Sequence, residues 1–114
     1  IVFERGRRDM AHISTDEIIQ WLGENDRDTF DVLNKESMTV AVNRYHPGST
    51  STSIDRTHTE DELYYVISGS GKVRIEDDVY PVAAGDVIFV KAESFHTFFD
   101  LEEELTVLKI FASG

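Results

Sequence analysis

Apolar positions recur along this chain with two different periods, and the change between them marks its organisation. Ile18, Ile19 and Leu22, with Trp21 beside them, form a stripe at helical spacing. Ser14 or Thr15 can accept bonds from the free amides of a helix start, and Ser14 with Glu17 makes a capping box. Gly23 is the expected stop. So short a helix is not stable alone in water, so it should lie on the rest of the fold or on a neighbouring subunit, with Trp21 as a packing anchor.

From Ser37 onward the period falls to two. Met38, Val40 and Val42 alternate with Thr39, Ala41 and Asn43, which predicts a strand with one buried and one less buried face. Pro47-Gly48 ends it, and Ser49 to Asp55 reads as a polar loop. Leu63 to Ile67 is a second strand, closed by Ser68-Gly69-Ser70-Gly71. Val73 to Ile75 and Val79 to Val82 read as a hairpin around Asp77-Asp78, and Gly85-Asp86 turns the chain into Val87 to Val90. Phe95 to Phe99 and Thr106 to Phe111 follow, separated by the acidic loop Asp100 to Glu104. Seven or eight short strands with regular turns predict an all-β sandwich or barrel. Residues 1–35 then read as an N-terminal arm carrying the short helix, and residues 36–114 as the β-barrel.

Composition narrows the partners. With 114 residues there is room for one core. A formal charge of -11 argues against nucleic acid or an anionic membrane, both of which call for positive surface. Arg5, Arg7 and Arg8 cluster, but read as a solvated arm. The absence of cysteine removes disulfides, thiol nucleophiles and thiolate ligands. No apolar stretch approaches the roughly 20 residues of a membrane span, and no signal-peptide pattern is present, so the cytoplasm is the expected location.

Three residues carry candidate chemistry. His58 and Glu62 lie four apart just before the Leu63 strand, and His96 follows beyond the hairpin. Two imidazoles and a carboxylate suit one divalent transition metal such as Fe, Mn, Zn or Ni, with open positions left for water or substrate. The alternative is that they are ordinary polar residues at a barrel mouth. Strand alternation sets Glu62, Tyr64 and Val66 on one face, and His96 and Phe98 likewise share a face. That arrangement is a polar spot in an apolar cup, with Tyr64 and Phe98 as candidate ligand-binding residues.

The spacing resembles that of the cupins, specifically the small single-domain cupin-2 type, over about residues 38 to 111. The family's first motif runs glycine, histidine-any-histidine, three or four residues, glutamate, six residues, glycine. His58, Glu62 and Gly69 reproduce its second half, and Pro47-Gly48 resembles its opening. In the second motif Gly85 takes the opening glycine and His96 the histidine, while Lys91, Glu93 and Asp100 stand where proline, glycine and asparagine are usual. The resemblance implies a double-stranded β-helix, the jelly-roll barrel, that binds a small molecule and forms a homodimer. It implies metal at His58, Glu62 and His96. Arg56 occupies the first histidine's place and has no lone pair to give a metal. It would instead clamp a carboxylate or phosphate of a ligand, or pair with Glu60, Asp61 or Glu62. His46 is a further histidine within reach by sequence, though Pro47-Gly48 after it favour a turn position. Cupins include dioxygenases, isomerases, decarboxylases and binding domains, so three functions stand open: a metal-dependent enzyme on a small anionic or oxygen-rich molecule, a metal-free binding or sensing module, and a structural dimerisation domain.

Overall fold

The computed structural model describes residues 12–35, 38–48 and 60–112. Arg5, Arg7, Arg8, the stretch Ser49 to Asp55, Arg56 and His58 lie outside the described residues.

One helix and eight strands make up the described chain: α1 (Thr15–Asn25), β1 (Thr29–Lys35), β2 (Met38–Tyr45), β3 (Glu62–Ser68), β4 (Ser70–Ile75), β5 (Asp78–Ala83), β6 (Val87–Val90), β7 (His96–Phe99) and β8 (Leu105–Phe111). All strand pairings are antiparallel, in a five-stranded sheet of order β1-β2-β8-β3-β6 and a three-stranded sheet of order β5-β4-β7. Tyr64, Val66, Ile88, Val90, Leu105 and Val107 from the larger sheet pack with Val73, Val82 and Phe98 from the smaller one in a single core cluster. The sheets therefore face each other around one interior, as a jelly-roll barrel requires.

The capping box forms as expected. Ser14 Oγ accepts from the Glu17 amide at 3.1 Å, and Glu17 Oε1 accepts from the Ser14 amide at 3.1 Å. Gly23 does not stop the helix. The helix runs on to Asn25, and Asp26 takes the left-handed cap at φ 50, its amide donating back to the Gly23 and Leu22 carbonyls. Ile18 and Leu22 bury against Phe30 and Val42, and Trp21 meets Phe30 edge-on at 5.2 Å. Burying side chains of this size contributes about 1.5–3 kcal/mol each, which an eleven-residue helix needs to persist.

The period-two pattern misses one strand. Residues 29–35, at the end of the stretch read as an arm, form β1 and pair with β2. A register shift between Asp31 and Leu33 puts an extra residue in the strand, so Phe30 and Leu33 lie opposite Val42 and Val40, and the simple alternation is lost. β2 also departs from its expected one-sided burial. Ala41 and Val42 are both buried, because Ala41 faces the barrel interior while Val42 lies under α1. Two turns shift slightly. Ser70 and Gly71 already belong to β4, and Ile75 pairs with Asp78, so Glu76-Asp77 makes the hairpin turn, with Glu76 at φ 52.

Gly69 joins β3 to β4 at φ +94, and a Cβ there would overlap the Glu104 carbonyl of the β7–β8 loop. Gly69→Ala combines a left-handed backbone with a backbone collision. It should lower unfolding free energy by about 2 kcal/mol or more, read as a reduced urea midpoint.

Candidate functional site

β3 runs through the interior of the larger sheet, paired with both β8 and β6, and its burial alternates so that Glu62, Tyr64 and Val66 face the core while Leu63 and Tyr65 face outward. β7 pairs with β4 in the opposite sheet and turns His96 and Phe98 inward. Glu62 and His96 thus come from facing sheets and meet inside the barrel, each 2% exposed, with His96 Nε2 at 3.3 Å from Glu62 Oε1. The Tyr64 hydroxyl lies 3.1 Å from His96 Nε2 and 3.5 Å from Glu62 Oε1. Phe98 closes the floor, edge-on to Tyr64 at 5.3 Å and tilted against Tyr45 at 5.4 Å. The predicted Glu62, Tyr64, His96 and Phe98 are therefore neighbours, while Arg56 and His58 are outside the described residues.

The loops around this site hold the imidazole in one orientation. His96 Nδ1 lies 3.1 Å from the Ser94 carbonyl, which can only accept, so Nδ1 carries a proton. The Ser94 turn is held by its own amide bond to the Lys91 carbonyl at 3.1 Å. Asp61 Oδ1 accepts from the Ala92 amide at 2.8 Å, and Glu76 exchanges bonds with Phe95 through both backbone and carboxylate. Glu93 and Asp100, at positions where the motif carries glycine and asparagine, keep left-handed backbones at φ 64 and φ 51.

With Nδ1 protonated, Nε2 faces the Glu62 carboxylate either as a bare lone pair or as an N–H. A bare lone pair 3.3 Å from a carboxylate oxygen is repulsive; the Tyr64 hydroxyl, 3.1 Å from Nε2, can relieve it by donating to the nitrogen, and a positive charge between the two atoms relieves it more fully. A proton meets that need, with the imidazolium donating to Glu62. A metal also meets it. Two ligands bound at about 2.1 Å lie roughly 3.0–3.4 Å apart in octahedral to tetrahedral geometry, which brackets this pair. A backbone carbonyl on the second ring nitrogen is the usual support of a metal-bound imidazole. These two residues therefore fit a metal as two of its ligands. Among the described residues, no three His, Cys, Asp or Glu side chains gather as a complete metal group.

His46 serves elsewhere. It is exposed, with Nε2 at 2.9 Å from Asp28 and Nδ1 at 3.3 Å from Glu104. The hydrogen bond from His46, helped by Arg44 at 3.2 Å, holds the Asp28 carboxyl below the usual aspartate range despite some opposing desolvation.

The residue patterns did not single out Lys109. Leu108 and Ile110 share one side of the last strand, and Leu108 packs toward α1. Lys109, between them, consequently faces the interior, directly opposite Tyr64 on one side and Ala41 on the other. The signal was the strand parity itself.

The family model of the cupin domain matches residues 41–111. The chain belongs to the cupin family. An uncharacterized protein of Streptomyces coelicolor is 30% identical over 103 residues, 90% of this chain and 96% of its own length. The transcriptional activator RhaR of Yersinia pseudotuberculosis, of the HTH type, is 32% identical over 68 residues; these cover 60% of this cupin but only 23% of RhaR. In structure, KdgF from a Halomonas species superposes with TM-score 0.68 at 19% identity, over 75% of this chain and 77% of that one, a likeness of fold. No helix among the described residues is long and apolar enough to cross a membrane.

Tyr64→Phe removes the hydroxyl that both buried polar groups approach. It should cost about 1–3 kcal/mol of stability, measured by urea unfolding, with the β-sheet signal of the folded protein unchanged.

Proposed function

We propose that this cupin binds one divalent transition metal through Glu62, His96 and His58, and uses the cup around it to hold a small anionic or oxygen-rich molecule. The observation that carries the reading is the buried Nε2–Oε1 contact of 3.3 Å, with the imidazole's other nitrogen committed to the Ser94 carbonyl. His58 is the third ligand by its place in the family motif. A bound metal would act as a Lewis acid toward a ligand oxygen. In this reading the chain's own residues do the rest. Ser94 orients His96, Glu62 contributes the compensating negative charge, and the Tyr64 hydroxyl is placed to donate to a ligand oxygen. Val66, Val90 and Phe98 keep the floor dry, which strengthens every polar contact above it. Arg56 is the proposed second contact for a ligand carboxylate or phosphate. A reaction at this site would be of the dioxygenase, isomerase or decarboxylase type.

A second reading, a metal-free binding or sensing module, draws support from Arg56 in place of an imidazole and from the match to a stretch of a transcriptional activator. Elemental analysis of protein purified without a metal-affinity tag separates the two. The first expects close to one equivalent of transition metal, lost in His96→Ala and weakened in Glu62→Gln. Arg56→His should tighten metal binding by about tenfold. Less than about one fifth of an equivalent, with no uptake on titration, would establish the metal-free reading.

We also infer a homodimer. On the outer face of the larger sheet, α1 covers Val42 with Ile67 and Leu108 beside it, and leaves Leu63, Tyr65, Val87 and Phe89 exposed by 38%, 43%, 62% and 57%. These form two directly opposed pairs, Leu63 with Phe89 and Tyr65 with Val87. Together they offer roughly 400 Å² of contiguous apolar surface, about half of what one partner contributes to a standard interface. In a chain of net charge -11, two copies meet with least repulsion through an uncharged patch, and a twofold axis presents that patch to itself. Light scattering at micromolar concentration should give twice the chain mass of 13.0 kDa, falling to the single mass in Phe89→Glu.

A further inference from the structure

Lys109 is a cation on the inner wall of the cup. It lies directly opposite Tyr64 on β3, and Glu62 is opposite Phe111, the next inward residue of the same strand. Cross-strand neighbours of this kind stand about 5 Å apart directly and about 7–8 Å apart on the diagonal. On its other side Lys109 faces Ala41, whose small side chain leaves room for the lysine stem. The Lys109 Nζ sits 5.6 Å from the centre of the Phe111 ring, so the stem bends along its strand toward the row that holds Glu62. Among the described residues, Lys72 pairs with Asp100 at 3.0 Å and Arg44 with Asp28 at 3.2 Å. Among the described residues, no carboxylate makes an ion pair with Lys109.

A half-buried lysine that among the described residues has a ring face and no carboxylate beside its ammonium gains little from that contact and forgoes part of its hydration. An anionic oxygen group restores both. We propose that Lys109 is the anion-holding residue of the cup, fixing one carboxylate or phosphate of a small ligand whose remaining oxygens reach the Tyr64, Glu62 and His96 end. This deepens the reading of the cup as a small-molecule site and rests on it. It assigns the ligand class as a small molecule with a terminal anionic group and further oxygen functions. Ala41, Lys109 and Tyr64 form one row across three strands, so the anion would sit against the wall beside the buried polar group and not on it.

The test uses the full chain as purified, isotopically labelled, titrated separately with inorganic phosphate and with succinate while backbone amide shifts are followed. Shifts should concentrate on the inward residues of β3, β7 and β8, with the preferred anion saturating at lower concentration. Lys109→Met keeps the stem over Phe111 but removes the charge, and should weaken binding of both anions at least tenfold. Lys109→Arg should stay within about threefold of the original chain, and serves as the reference should the methionine variant not fold, when Lys109→Gln takes its place. Metal uptake by each variant should match the original chain. If neutral variants bind both anions within twofold of the original, or if neither anion shifts the inward residues, Lys109 is not an anion site. The second result together with full metal loading overturns this proposal and leaves the metal reading intact. Lysine-dependent shifts in a chain that takes up no metal would do the reverse.

Discussion

A carboxylate and an imidazole cannot be buried singly in an apolar barrel, and this chain buries one of each on opposite sheets. Taking either group out of water costs several kcal/mol, recovered only if the two meet with their remaining polar atoms satisfied. Glu62 enters from β3 in the larger sheet and His96 from β7 in the smaller one, and they meet at 3.3 Å. Their contact therefore ties the two sheets together at this end of the barrel. Tyr64 joins them, and below it Phe98, Val66 and Val73 give the apolar packing that holds the polar group in place.

The support around His96 is more extensive than packing alone requires. Its Nδ1 is tied to Ser94, the Ser94 turn to Lys91, the following residue of that turn to Asp61, and Phe95 to Glu76. Each of these bonds joins the β6–β7 loop to a residue flanking another strand or closes the loop on itself, so the ring that projects from it has one orientation. Sites that act on ligands need such fixed first contacts, since a misplacement of an ångström is costly in binding or catalysis. The two left-handed residues in this region, Glu93 and Asp100, bracket the histidine strand and carry the local strain that shapes it.

The larger sheet has two faces with different tasks. Its inner face carries the buried polar group with Lys109 beside it. Its outer face is divided between the α1 cluster and the exposed pairs of β3 and β6. The division explains why β2 is buried on both sides at Ala41 and Val42, and why a short helix persists that is too small to stand alone. A single strand, β3, serves both purposes, through alternate residues.

Local patterns were sufficient for most of what depends on neighbours in sequence. Alternation set the inward face of β3 and β7, turn residues marked most strand ends, and the motif spacing with Glu62, Gly69 and His96 pointed to the barrel. The same logic failed where an extra residue broke the alternation, in β1, and where a cap other than glycine ended the helix, at Asp26. What no local pattern can express is distance across the barrel. Glu62 and His96 are 34 residues apart in sequence, and their separation, the shared Tyr64 hydroxyl and the Ser94 anchor follow from the packing of one sheet on the other. Lys109 shows the same limit from the other side. Its parity was written in the chain, but its place beside Tyr64 follows from the pairing of β8 with β3, set by long-range hydrogen bonds and core packing.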